Sequence, residues 1–92
     1  MTKEIYKEKI KKDTIQDQDN EHFLVLINDD YHSFDYVIDA LVDVCNHTQQ
    51  QATQCTMITH YKGKCDIKKG NYKELRSMRK ALIERELKAL IN

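Results

Sequence analysis

This sequence of 92 residues predicts an α+β domain, with three helices packed on one face of a small three-stranded antiparallel sheet in the order β-α-α-β-α-β. Three observations lead there. A short, partly β-branched apolar run, HFLVLI at residues 22–27, stops at Asn28-Asp29-Asp30, as a buried strand does when it meets turn formers. Two stretches follow in which capping residues introduce apolar groups, and the first of them carries its apolar residues at clear helical spacing. The rest of the chain alternates short strand-like pieces with one more helical stretch, and such a mixture closes as helices layered on a sheet.

Each element has its own signal. In the first twenty residues, charges and amides dilute the sizeable apolar groups Ile5, Tyr6, Ile10 and Ile15, so 1–20 reads as a mobile N-terminal extension and 21–92 as the core domain. After the first strand, Ser33 caps a helix with Phe34, Val37, Ile38, Leu41 and Cys45 on one side and Asp35, Asp39 and Asp43 on the other, ending at Asn46 or His47. Residues 48–51, TQQQ, have the form of a capping box and open a second helix, with Ala52, Cys55, Met57, Ile58 and Tyr61 as its apolar positions and Gly63 as its left-handed stop. Residues 64–69, KCDIKK, make a short second strand ending at Gly70. Asn71 and Glu74 repeat the capping-box spacing, and Leu75, Met78, Leu82 and Ile83 form the stripe of a third helix. Residues 85–92 fit two descriptions: Leu87, Leu90 and Ile91 continue the helical period, or residues 87–91 close the sheet as a third strand.

Composition narrows the function. A chain this short buries only about 60–65 % of its unfolded surface, which argues against a large catalytic cleft. The formal net charge is zero and the pI 6.9, so the basic footprint of a nucleic-acid binder is missing. Residues 21–61 hold six acids and no Lys or Arg, whereas 62–92 hold ten basic groups against four acids. The middle therefore suits a cationic ligand and the last third an acidic partner, unless the two simply attract each other within the fold. Cys45, Cys55 and Cys65 are odd in number and form no CxxC pair, so a disulfide framework is not expected and a reducing cytoplasm fits best. The longest apolar run, residues 23–27, is too short to cross a membrane.

The chemistry concentrates where the first strand ends. Asn28-Asp29-Asp30-Tyr31-His32 places an amide, two carboxylates and an imidazole on the loop leaving a buried strand, where rigid scaffolds present ligand groups. Asn and Asp are also the preferred turn formers, so capping alone would account for them. His60 sits near the end of the second helix, and its meaning depends on whether it meets Asn28. Asp29, Asp30, His32 and His60 are chemically adequate for a metal-dependent enzyme, although no HExxH or CxxC spacing accompanies them. Pairing Cys45 with His47, or Cys55 with His60, as nucleophile and base has less support, because neither lies in a recognisable motif.

FLVLINDDYHSFDYVIDAL, followed by ATQCTMITHYKGKC, resembles the ClpS family, in which a strand leads into an NDDY turn and a helix, and a second helix ends in an HxxGK-like segment. The resemblance covers residues 22–70 closely and 71–92 loosely. It implies a non-enzymatic adaptor, without cofactor or metal, that recognises free bulky N-terminal residues (N-degrons) and hands their bearers to a Clp AAA+ unfoldase of the ClpA or ClpC type. By the same resemblance, Asn28, Asp30 and His60 surround the α-amino group. Phe34, Val37, Thr56, Thr59 and Leu87 form or rim the side-chain pocket, with Asp29 and His32 beside its mouth. The chain departs from the family in having Phe34 where Met is common as a gatekeeper, and Thr56 and Thr59 where the pocket wall is usually apolar. Asn carbonyl, carboxylate and neutral imidazole are the acceptor types that an ammonium with three donors requires.

Overall fold

The computed structural model describes residues 21–92, so the N-terminal extension expected at 1–20 lies outside the described residues. Six elements follow one another: β1 (His22–Ile27), α1 (Phe34–Cys45), α2 (Gln49–Lys62), β2 (Lys64–Gly70), α3 (Tyr72–Glu84) and β3 (Lys88–Ile91). The sheet is antiparallel throughout, and β1 lies in its middle with β2 on one side and β3 on the other. This is the expected α+β architecture in the expected order.

Alternation along β1 decides how the layers meet. Leu24 and Leu26 enter the core with Leu41 and Cys45 of α1, Ala52 of α2, and Leu75 and Leu82 of α3. Each of these leucines is almost wholly buried, and each contributes about 1.5–3 kcal/mol by leaving water. Asp35, Asp39 and Asp43 are exposed, as the amphipathic pattern of α1 requires.

The helix ends are built by local hydrogen bonds. Ser33 Oγ accepts the Tyr36 N–H at 3.1 Å and caps α1, and Asn46, at φ 59°, ends it in the left-handed region. The capping box of α2 is complete: the Gln51 amide donates to Thr48 Oγ1 at 3.0 Å, and the Thr48 amide donates to Gln51 Oε1 at 2.9 Å. Gly63, at φ 91°, stops that helix. At α3, Asn71 Oδ1 accepts the Glu74 N–H at 2.8 Å, while Glu74 Oε1 lies over Gly70.

Of the last eight residues, Lys88–Ile91 form the strand, one residue later than the expected start at Leu87, and a tight helix ending explains the choice. Glu86, at φ 66°, takes the left-handed position; its N–H donates to Ile83 O at 2.8 Å, and the Leu87 N–H donates to Leu82 O at 3.0 Å. These two bonds are a Schellman motif, closed by the buried side chains of Leu82 and Leu87. The chain therefore turns back, and β3 pairs with β1 from Leu24–Ile91 to Ile27–Lys88.

Two features differ from the sequence reading. The second helix buries Ala52, Thr56 and Thr59, whereas Met57, Ile58 and Tyr61 are exposed. Packing of α2 against α1 and β2 chose the face at 52, 56 and 59, which spacings of four and three bring into line, over the more apolar residues of the opposite face. Between β1 and β2 the register shifts at a β-bulge, so that Leu24 pairs with Lys68 and Val25 with Asp66. The His47 ring meets the bulge carbonyl of Ile67 at 2.7 Å through Nε2, and Lys68 Nζ donates to Cys45 O at 3.1 Å, tying the bulge to the end of α1.

Candidate functional site

A single turn of backbone links the two segments singled out in the sequence. The Asn28 N–H donates to Gly63 O at 2.9 Å, so the residue leaving β1 is bonded to the residue that stops α2, and His60 is one turn before that stop. The geometry answers whether His60 meets Asn28: both line one cavity of about 130 Å³ between the end of β1, the start of α1 and α2. Leu26, Ile27, Asn28, Asp29, Asp30 and His32 come from the strand and its loop. Phe34 and Val37 come from α1, Thr56, Thr59 and His60 from α2, and Leu87 from the turn before β3. All ten residues expected at the site are thus neighbours of one cavity. Leu26 and Ile27 were missed, although they are the final residues of the apolar run that leads into Asn28.

The cavity is apolar inside and polar at the loop. A cavity of about 150 Å³ lined by aliphatic and aromatic groups accommodates benzene, so the volume here matches one Leu-sized or phenyl-sized side chain. Val37 and Leu87 give it hydrocarbon walls, and the half-exposed Phe34 ring stands at the edge, 5.2 Å from the His60 ring in an edge-to-face arrangement. Thr59 Oγ1 donates to Cys55 O at 2.7 Å, which commits its one proton and leaves the oxygen only as an acceptor.

The two loop carboxylates differ. Asp29 Oδ1 accepts the N–H of Tyr31 at 2.9 Å and of His32 at 3.1 Å, and lies 3.2 Å from His32 Nδ1. Burial pushes the Asp29 carboxyl up, but these amide and imidazole donors together outweigh it and hold the group below its ordinary value. Asp29 is a turn-forming group locked to its own loop, whereas Asp30 is exposed at the cavity's polar edge. His32 in turn stacks on Tyr36, with ring centres 4.7 Å apart, and the Tyr36 hydroxyl donates to Arg85 O at 2.9 Å. A continuous set of contacts thus runs from the Asp29 turn to the α3–β3 turn that carries Leu87, bracing opposite walls. Tyr36 was not anticipated, since nothing in its helical spacing marks a partner 49 residues away.

Among the described residues, no three His, Cys, Asp or Glu side chains stand close enough to hold a metal ion. Asp29, Asp30, His32 and His60 therefore share a cavity without forming the metal centre of the rival reading. Cys45, Cys55 and Cys65 are free, and burial pushes the Cys45 thiol up to about 11 and, with Cys55 beside it, Cys65 up to about 12. Thiols so far from ionising are poor nucleophiles at neutral pH. No helix among the described residues is long and apolar enough to cross a membrane.

Fold and cavity together define a class: a small α+β module that presents one side-chain-sized pocket beneath a carboxylate-bearing loop. The chain belongs to the ClpS family, whose model, described as ATP-dependent Clp protease adaptor protein ClpS, matches residues 17–89. Among solved structures it is similar to that of Agrobacterium tumefaciens ClpS2 bound to L-phenylalaninamide, with a TM-score of 0.71 and 18 % identity over 77 % of this chain and 93 % of that one. The curated proteins searched contain no match.

Proposed function

We propose that this chain is a non-enzymatic adaptor that grips the free N-terminal residue of a client protein and hands the client to a Clp AAA+ unfoldase of the ClpA or ClpC type. One observation carries the reading: a cavity sized for a single side chain opens beside Asn28, Asp30 and His60, in a stretch of chain that has no Lys or Arg from residue 21 to 61. The client's first side chain fills the apolar cavity, with Phe34 at its rim. Its α-ammonium sits at the polar edge, where the Asn28 carbonyl, the Asp30 carboxylate and a ring nitrogen of His60 accept its three donors. Burying the side chain supplies about 1.5–3 kcal/mol, and each charge-assisted bond about 1.5–3 before ordering costs. One residue then suffices for a complex in the micromolar class. Membership of the ClpS family supports the handover, and the amino-acid amide bound by the Agrobacterium relative supports the choice of ligand.

The handover is testable with a folded reporter protein whose first residue is exposed. Adding the chain to a Clp unfoldase and its peptidase accelerates loss of a Phe-led or Leu-led reporter and leaves a Gly-led reporter unaffected. Equal rates for the three reporters would overturn the assignment.

A further inference from the structure

The central strand is apolar on both of its faces. Leu24 and Leu26 turn towards the helices, with Ala89 of β3 in the same core. Alternation therefore sends Phe23 and Val25 of β1 to the other face of the sheet, together with Leu90, the β3 partner of Val25. Val25 is 3 % exposed, yet it is no part of the helix-side core that the described residues form, and Leu90 beside it is 44 % exposed. A strand with one face in water reads apolar in and polar out, whereas a continuous apolar run is the mark of a strand covered on both sides. Lysines edge the strip. Lys69 lies across from Phe23, its Nζ 5.8 Å from the ring centre, and Lys64 and Lys88 flank Ile27 from β2 and β3. All three are exposed, with one acid, Asp66 across from Val25, among them.

We infer that this face is a docking surface for residues 13–20 of the chain itself, DTIQDQDN, which fold back over it with Ile15 on Val25 and Leu90, Asp17 beside Lys69, and Asp13 between Lys64 and Lys88. Composition matches the surface: the segment holds three Asp, no Lys or Arg, and Ile15 as its one large apolar residue. The connection matches too. Glu21 is a turn residue at the head of β1, and residues 17–20, DQDN, are rich in turn formers. A reversal over 18–21 sets Asp17 level with His22, and both runs then advance about 3.3 Å per residue. Ile15 arrives within one residue of Val25, and Asp13 within one residue of Ile27, where the two flanking lysines stand. Exposed ion pairs add little each, so they set the register while burial of Ile15 against the strip holds the segment down. A weak contact suffices, because a segment joined directly to β1 acts at an effective concentration of roughly millimolar. Docking of this kind also moves the place from which the rest of the extension departs. The chain ahead of Asp13 then leaves from the end of the sheet where β1 runs into Asn28, beside the pocket, rather than from the far end.

The test is methyl NMR on the full chain. Nuclear Overhauser cross-peaks join the Ile15 methyls to those of Val25 and Leu90 in the wild type. Asp17→Lys weakens them, and adding Lys69→Asp to that variant, which restores opposite charges, brings them back. Ile15→Ser shifts the Val25 and Leu90 methyl resonances and leaves those of Leu41 and Leu75 in place. Absence of cross-peaks from Ile15 to this face in the wild type overturns the inference, as do cross-peaks to Met57 and Ile58 of α2 in their stead. Cross-peaks seen only between differently labelled copies in a mixed sample also overturn it, since they give the face to a second molecule. So does an Asp17→Lys variant whose cross-peaks are undiminished.

Discussion

In the turn after β1, Asp29 and Asp30 are chemically identical and physically different. The Asp29 carboxylate organises the loop, because two backbone amides and the His32 ring converge on it. Its depressed native pKa makes the sign of its pH dependence definite. Stability from this turn is fully present above the unfolded carboxyl pKa of about 3.9 and is lost as pH falls through the lower native value. The melting-temperature difference between the wild type and Asp29→Ala is therefore largest at neutral pH and shrinks below about pH 4; a difference that grows in acid would contradict the account. The proposed amine acceptors act differently. Asn28→Ala and His60→Ala should each weaken peptide binding by about 1–3 kcal/mol in a calorimetric titration while leaving the melting curve nearly unchanged. Of the residue-level chemistry, the type and order of Asn28, Asp30 and His60 were legible in the sequence. The division of labour between Asp29 and Asp30 was not, since it depends on which carboxylate the backbone amides of residues 31 and 32 reach.

At the scale of elements, the site is held by how helices stop. Gly63 ends α2 and accepts the Asn28 N–H, and Glu86 ends α3 and aims Leu87 at the cavity. A Cβ at Gly63 meets no atom within 4 Å, so Gly63→Ala is penalised by its φ of 91° alone, by about 1–2 kcal/mol. Glu86 has the opposite potential. It is a side-chain-bearing residue at φ 66°, and Glu86→Gly should relieve that strain, less the added flexibility of the unfolded chain, for a net gain of about 0.5 kcal/mol and about 2–4 °C in Tm. A lower Tm in Glu86→Gly would show that the Glu86 side chain supports the turn. The caps at Ser33, Thr48, Gly63 and Asn71 were readable because each is a short-range rule. The ending at Glu86 was not, because no Gly or Asn marks it and Leu87, Leu90 and Ile91 suit a helix as well as a strand. In α2 the apolar positions divide: Ala52 is buried and Cys55 packs against the core, whereas Met57, Ile58 and Tyr61 are exposed and Thr56 and Thr59 share the buried face. Polar residues in and apolar residues out is the local conflict expected where a helix serves a site as well as the core.

At the scale of the whole molecule, charge is divided along the sequence. Residues 21–61 carry six acids and residues 62–92 ten basic groups, and among the described residues one exposed pair, Arg85 with Asp43 at 3.4 Å, joins the two. Such a pair adds little stability. The acidic stretch carries every group proposed to hold an ammonium, so the charge division that was visible in composition has a place in the proposed function. All those groups lie between Asn28 and Leu87. A chain beginning at residue 21 should therefore bind the client's first residue as the full chain does, and any loss on removing residues 1–20 should fall on delivery to the unfoldase; weakened peptide binding by the shortened chain would contradict this. The central claim is that the pocket reads a free terminus. It is tested most directly by titrating the protein with one Phe-led peptide in free and acetylated forms. Acetylation removes the cation and two of its donors and leaves the side chain intact, so the account predicts a loss of at least about tenfold in affinity. Equal binding of the two forms would contradict it.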